Sequence, residues 1–110
     1  MAKGFPVRTV EILAAQIAPH DRSFKYRIVS KATYSRRSPS KPLSKAESER
    51  VARLVQVWQA ALDVWGTPEE TLAFLERPHA LLGGEPPMAL TLESDVGARR
   101  ATLATHPPLG

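Results

Sequence analysis

One short stretch gathers Arg27, Lys31, Thr33, Tyr34, Arg36 and Arg37. Guanidinium and ammonium groups neutralise phosphates, and hydroxyls and forked guanidinium donors hydrogen-bond to base edges, so this set suits contact with duplex nucleic acid. The same residue types also clothe the solvated face of a small helical bundle. Catalytic chemistry is harder to find. His20, His79 and His106 each stand beside a proline, with none of the spacings that pair histidines on a metal, and read as exposed turn residues. Adjacent Glu69 and Glu70 do not share a helix face, and a first-turn position explains both through capping and the helix dipole. Gly83-Gly84 lacks the strand, lysine and hydroxyl of a phosphate loop and reads as a turn. No metal or other cofactor is expected, and the chain reads as a binding protein rather than an enzyme.

The elements that carry the basic stretch follow from periodicity. Pro6 can start a helix, Val7, Val10, Leu13, Ala14 and Ile17 recur at helical spacing, and Pro19 closes it. Asp21 is a candidate cap for a second helix, with Phe24 and Ile28 inward and Arg22, Lys25 and Arg27 outward. Ser30 opens a third, in which Ala32 and Ser35 are expected to pack inward. Prolines and serines over residues 38–42 then make a rigid, exposed connector. Three short helices of this kind fit a helix-turn-helix unit whose third helix enters a major groove.

Beyond the connector the punctuation is explicit. Ser44 and Glu47 form a capping box, Val51, Leu54, Val55, Trp58, Leu62 and Trp65 fall on one apolar face, and Gly66 supplies the stop. Thr67 caps a second helix that begins at Pro68, with Glu70 completing its box, Leu72 and Leu75 inward, and Pro78 ending it. Leu82-Gly83-Gly84 allows positive backbone angles, residues 85–88 restart the chain as a short helical turn, and Thr91 is the expected cap of the last helix. Trp58 and Trp65, two turns apart, are either buried structural aromatics or, with Val51, part of a dimer seam.

Composition sets the bounds. A chain of 110 residues, 43% hydrophobic, can bury one core or two small ones without staples, and it has no cysteine for a disulfide or thiolate site. The formal charge of +4 hides an asymmetry: residues 1–42 carry nine Lys and Arg against two acids, and residues 43–110 carry six against nine. The first segment suits a polyanion and the second a protein surface or solvent. Neither an apolar leader nor the roughly 20 apolar residues of a membrane span is present, so a cytoplasmic protein without membrane contact is expected.

The ordered pattern L-S-x-x-E-S-x-R, then A-x-x-V-W-G-x-x-E-x-x-x-x-F-L-x-x-P-x-x-x-L-G-G-x-x-P-M-x-L, stands here as Leu43, Ser44, Glu47, Ser48, Arg50, Ala61, Val64, Trp65, Gly66, Glu69, Phe74, Leu75, Pro78, Leu82, Gly83, Gly84, Pro87, Met88 and Leu90. It resembles the MbcA/ParS/Xre-type toxin-binding domain of Xre-family antitoxins, the partners of RES-domain toxins. The resemblance implies an all-α fold, with a small N-terminal helix-turn-helix unit (1–42) followed by a C-terminal helical toxin-binding bundle (43–110). It implies an antitoxin that neutralises an NAD-degrading RES-domain toxin and represses its own operon as a DNA-bound homodimer. The family's inhibitory surface maps onto Gly84, Glu85, Met88, Leu92, Arg99 and Arg100. Relatives continue past the Gly97-Ala98-Arg99-Arg100 segment into a further apolar helix, where this chain gives ATLATHPPLG; Pro107 and Pro108 imply that its last helix stops near residue 105. A stand-alone helix-turn-helix regulator without a toxin partner is the rival reading, and a small enzyme a more distant one.

Overall fold

The computed structural model describes residues 5–36 and 41–105. Among these the chain is helical, and the only extended pairings are two isolated antiparallel bridges, Pro6 with Pro42 and His79 with Glu85. It divides into two compact units, Met1–Ala52 and Arg53–Gly110. The division falls inside a helix, ten residues beyond the sequence-expected change at 42/43. No described helix is long and apolar enough to cross a membrane.

In the first unit, α1 (Arg8–Ile17) buries Val10, Leu13, Ala14 and Ile17, the stripe read from the sequence, and ends at Ala18 before Pro19. Asp21 does not cap a helix. Its carboxylate accepts from the backbone N–H and hydroxyl of Ser23 (3.0 and 2.8 Å), which makes a local turn, and the expected second helix contracts to a single 3₁₀ turn over Phe24–Arg27. Phe24, Ile28 and Val29 are nevertheless buried. Ser30 caps α2 (Lys31–Ser35), its Oγ accepting from the Thr33 N–H at 3.3 Å.

Ala32 and Ser35 are exposed, against expectation. A helix of five residues has barely more than one turn, and the side it turns to the rest of the unit carries Thr33 and Tyr34, both half-buried. The Ser35 hydroxyl is satisfied within the helix by the Lys31 carbonyl at 2.9 Å. Of the expected connector, residues 37–40 lie outside the described residues. Lys41 and Pro42 are exposed, and the backbone there pairs with the start of the unit: Val7 N–H donates to the Lys41 carbonyl (2.8 Å) and Leu43 N–H to the Phe5 carbonyl (2.7 Å).

The capping box forms as read. Ser44 N–H donates to Glu47 Oε1 (2.8 Å) and Glu47 N–H to Ser44 Oγ (3.2 Å), opening α3 (Lys45–Trp65), which Gly66 ends at φ +89°. Val51, Leu54 and Trp58 are buried, but Val57 and Ala61 complete the face in place of Val55, Leu62 and Trp65. The buried stripe runs through positions 51, 54, 57, 58 and 61; Val55 and Leu62 sit on its rim, and Trp65 lies in the last turn.

In the second unit Thr67 caps α4 (Pro68–Leu75), accepting from Glu70 N–H at 3.2 Å. Glu70 returns to the cap's hydroxyl (3.2 Å) rather than to its backbone N–H. Leu75 is buried as expected, joined by Thr71 and Phe74, while Leu72 is half-buried. His79 pairs with Glu85 across a short 3₁₀ turn, Ala80–Leu82, and Gly83 and Gly84 take φ of +68° and +85°. There α5 (Pro87–Glu93) starts, followed by α6 (Asp95–Thr105), and the two pack on each other.

Thr91 does not cap α6. It lies buried within α5, its hydroxyl donating to the Pro87 carbonyl at 2.8 Å, and Ser94 caps instead by accepting from Gly97 N–H at 2.9 Å. The prolines at 86 and 87 start α5 early enough to carry Thr91 into its interior. α6 runs to Thr105, the last described residue, and Pro107 and Pro108, on which the expected stop rests, lie outside the described residues.

Candidate nucleic-acid interface

The basic stretch is built on α2 and the 3₁₀ turn before it. Arg27, Lys31 and Arg36 are exposed. Arg27 lies over the Phe24 ring (5.5 Å to its centroid), and Lys31 extends to 5.9 Å from the Tyr26 ring, so both carry their charge to the surface on a packed stem. Arg36, exposed at the end of α2, folds Nε onto the Ala32 carbonyl at 3.3 Å. Thr33 serves the cap: its Oγ1 accepts from the Ser30 hydroxyl at 2.9 Å. Arg37 lies outside the described residues.

Tyr34 differs from the others. Its ring meets Tyr26 edge-on (5.8 Å, 89°), and the Lys25 ammonium stands 5.0 Å from its centroid. Lys25 Nζ reaches the Glu11 carboxylate on α1 at 3.4 Å. The Tyr34 hydroxyl, aided by Lys25, holds the Glu11 carboxyl below its ordinary range. Partial burial, with Glu11 beside it, pushes the Tyr34 phenol up, so the phenol stays a donor at any physiological pH. Asp21 too is held low, by Ser23. Both acids of the basic segment are thus engaged in local structure, which leaves its surface cations to set the field.

Sequence reasoning missed Glu11, Lys25 and Tyr26 as partners of α2. Only the scarcity of acids in this segment could have flagged Glu11. It also missed Arg50, whose guanidinium donates to the Ile28 carbonyl and fixes the turn just before Ser30. Arg53 was likewise unforeseen: half-buried, it donates to the Thr91 and Leu92 carbonyls (both 2.9 Å) and pairs with Asp95 at 3.5 Å, closing the C-terminal end of α5.

The residues expected on a protein-binding surface are distributed as follows. Gly84 and Glu85 are exposed on the turn, Leu92 is half-buried, and Arg99 and Arg100 are exposed in the middle of α6. Met88 is fully buried, so it supports that surface from beneath rather than lying on it. Arg99 and Arg100 are too far from the end of α6 to act as dipole partners of its last turn. They flank Leu103, which is 72% exposed: Arg99 lines a groove of about 540 Å³ with Arg53, Asp95 and Thr102, and Arg100 a smaller one of about 170 Å³ with Leu81.

Of the residues expected in a dimer seam, Val51 and Trp58 are buried within the single chain. Trp65 keeps 39% of its surface exposed while stacking on Phe74 at 5.3 Å. Among the described residues, no cluster of three His, Asp or Glu could hold a metal ion.

No curated protein and no solved structure matches the chain. The family model for the antitoxin Xre-like helix-turn-helix domain does, over residues 2–56, a span that takes in α1, the 3₁₀ turn, α2, and α3 past Arg50. With half of its length so matched, the chain belongs to the antitoxin Xre-like helix-turn-helix family.

Proposed function

We propose that this protein is the antitoxin of a type II toxin–antitoxin pair, that it neutralises a RES-domain toxin that degrades NAD, and that it represses its own operon by binding operator DNA as a homodimer. Residues 1–42 supply the DNA contacts, through Arg27, Lys31, Arg36 and Arg37, and residues 43–110 supply the toxin contacts. The observation that carries the reading is the joining, in one chain, of an antitoxin-type helix-turn-helix domain to a second unit whose α6 exposes Leu103 between Arg99 and Arg100. An apolar ridge between cations suits a protein cleft with a polar or acidic rim. The Leu43-to-Leu90 pattern supports a RES-domain partner, and the two-fold symmetry of operators read by helix-turn-helix proteins supports a dimer.

Co-expression with the product of the neighbouring gene tests this. The two chains are expected to co-purify, cell growth and NAD content to recover, and the Arg99→Ala, Arg100→Ala double variant to lose the recovery while staying folded. A neighbouring product that neither co-purifies nor depletes NAD, beside a chain that still represses its own promoter, would establish the stand-alone regulator instead.

A further inference from the structure

The helix expected to read DNA has little to hold it. α2 is five residues long and buries none of them. Ser30 and Arg50 both act at its start, the first as its cap and the second on the turn before it. Apart from Thr33, which serves that cap, Tyr34 is the one side chain of α2 that is even half-buried. What packs on its ring comes from the 3₁₀ turn: the edge of Tyr26, with centroids 5.8 Å apart, and the Lys25 ammonium, 5.0 Å from the Tyr34 centroid. Lys25 differs here from Arg27, Lys31 and Arg36, which are exposed. It is half-buried, and its Nζ also lies 5.4 Å from the Tyr26 centroid and 3.4 Å from Glu11 Oε1 on α1, a helix anchored by four buried side chains. A single ammonium thus meets α1, the 3₁₀ turn and α2.

We infer that Lys25 is a positioning residue for DNA recognition: seated on Glu11 and over the rings of Tyr26 and Tyr34, its ammonium fixes α2 against α1 and does not hold a phosphate. The inference rests on the DNA-binding role of the helix-turn-helix unit. A phosphate would have to draw Lys25 off two aromatic rings and a carboxylate, each of which attracts it. The two roles leave different signatures. A lost phosphate contact weakens binding to every duplex alike and lowers its salt dependence. Base-edge hydrogen bonds weaken steeply with distance and angle, so a displaced α2 loses specific contacts while the exposed cations still find phosphates.

The test is a fluorescence-anisotropy titration of the full chain. One labelled duplex carries the sequence immediately upstream of its own coding frame, and the other is an unrelated duplex of equal length. Lys25→Met, which keeps most of the stem and removes the charge, is expected to lower the ratio of upstream to unrelated affinity about 5- to 100-fold, the range for one lost base contact. The slope of log affinity against log salt should stay as in the wild type. Tyr34→Leu should lower the same ratio, and Lys25→Met should have no further effect in that background, because the ammonium acts on α2 through the ring. An unchanged ratio in either folded single variant, additive losses in the double one, or a slope that falls by about 0.9 in Lys25→Met overturns the inference. Should Lys25→Met unfold the unit, the wild-type chain decides by NMR: on the upstream duplex the Lys25 ε-methylene must keep the upfield shift that the two rings impose, and its loss overturns the inference. A wild-type chain that binds both duplexes equally overturns the sequence-reading role itself, and the inference with it.

Discussion

Gly97 of α6 lies so close to the Leu90 carbonyl of α5 that a Cβ placed on it would stand 2.1 Å from the carbonyl oxygen and 2.8 Å from its carbon. Backbone meets backbone there, and no side-chain rotation can relieve the clash. Gly97→Ala is therefore expected to lower stability by about 1–3 kcal/mol or to shift α6. Urea unfolding should show a lower midpoint with an unchanged slope. Because Arg99 and Arg100 follow on the same helix, the variant should also weaken partner binding more than either arginine substitution alone.

Ser44→Ala removes the Oγ that accepts from the Glu47 N–H at the start of α3 and keeps the Ser44 N–H that donates to the Glu47 carboxylate. A loss of about 0.5–2 kcal/mol is expected, measurable by thermal or denaturant unfolding. Thr67→Ala should cost a similar amount at α4, since the Thr67 hydroxyl likewise accepts from the N–H three residues on.

The two tryptophans separate by environment. Trp58→Ala empties a buried site and should cost about 3–5 kcal/mol. Trp65→Ala loses a partly exposed stack on Phe74 and should cost far less, about 0.5–1.5 kcal/mol beyond the area lost. Iodide should quench Trp65 emission and spare that of Trp58. If Trp65 belongs to a dimer interface, its quenching falls as protein concentration rises, and sedimentation shows the same transition.

Lys31→Ala removes an exposed cation from α2, the proposed reading helix, and Arg36→Ala one from its C-cap. If each holds one phosphate, the slope of log affinity against log salt should fall by about 0.9 per substitution. Toxin neutralisation by the same variants should persist, because neither residue lies in the second unit.

Glu11 makes a pH prediction. Its carboxyl is held below the ordinary value of 4.5, chiefly by the Tyr34 hydroxyl and then by Lys25. A depressed folded-state value means that its contribution to stability is present above the unfolded value and is lost as pH falls through the folded one. The stability difference between wild type and Glu11→Gln should accordingly hold from neutrality down to about pH 5 and vanish in stronger acid. Paired denaturation curves across that range would measure it.

What the sequence made legible was local. Ser44 with Glu47, Thr67 before Pro68, Gly66, and Gly83-Gly84 each announce a backbone event within four residues, and all appear where read. At the start of α6 the local signal misled: Thr91 is the expected cap and Ser94 the one found, because α5 extends past Thr91. Ala32 and Ser35 were placed inward on a periodicity that a five-residue helix cannot express. Lys25 reaches back to Glu11 on α1, Arg50 reaches Ile28 from α3, and Arg53 reaches α5 from α3. Contacts of that separation leave no periodic trace, which is why the cations of the site could be named in advance and the groups that hold them could not.

The rung between residues 5–7 and 41–43 makes the reading segment a closed excursion: the chain leaves and returns at a point fixed by two main-chain hydrogen bonds. Main-chain pairing is indifferent to side-chain identity, so exposed positions within the excursion can change without moving its ends, while its buried residues stay bound to the core. If the excursion reads an operator as proposed, its preference can drift through exposed positions such as Lys31 and Arg36, while the helix that follows Ser44 keeps its sequence and its separate obligations.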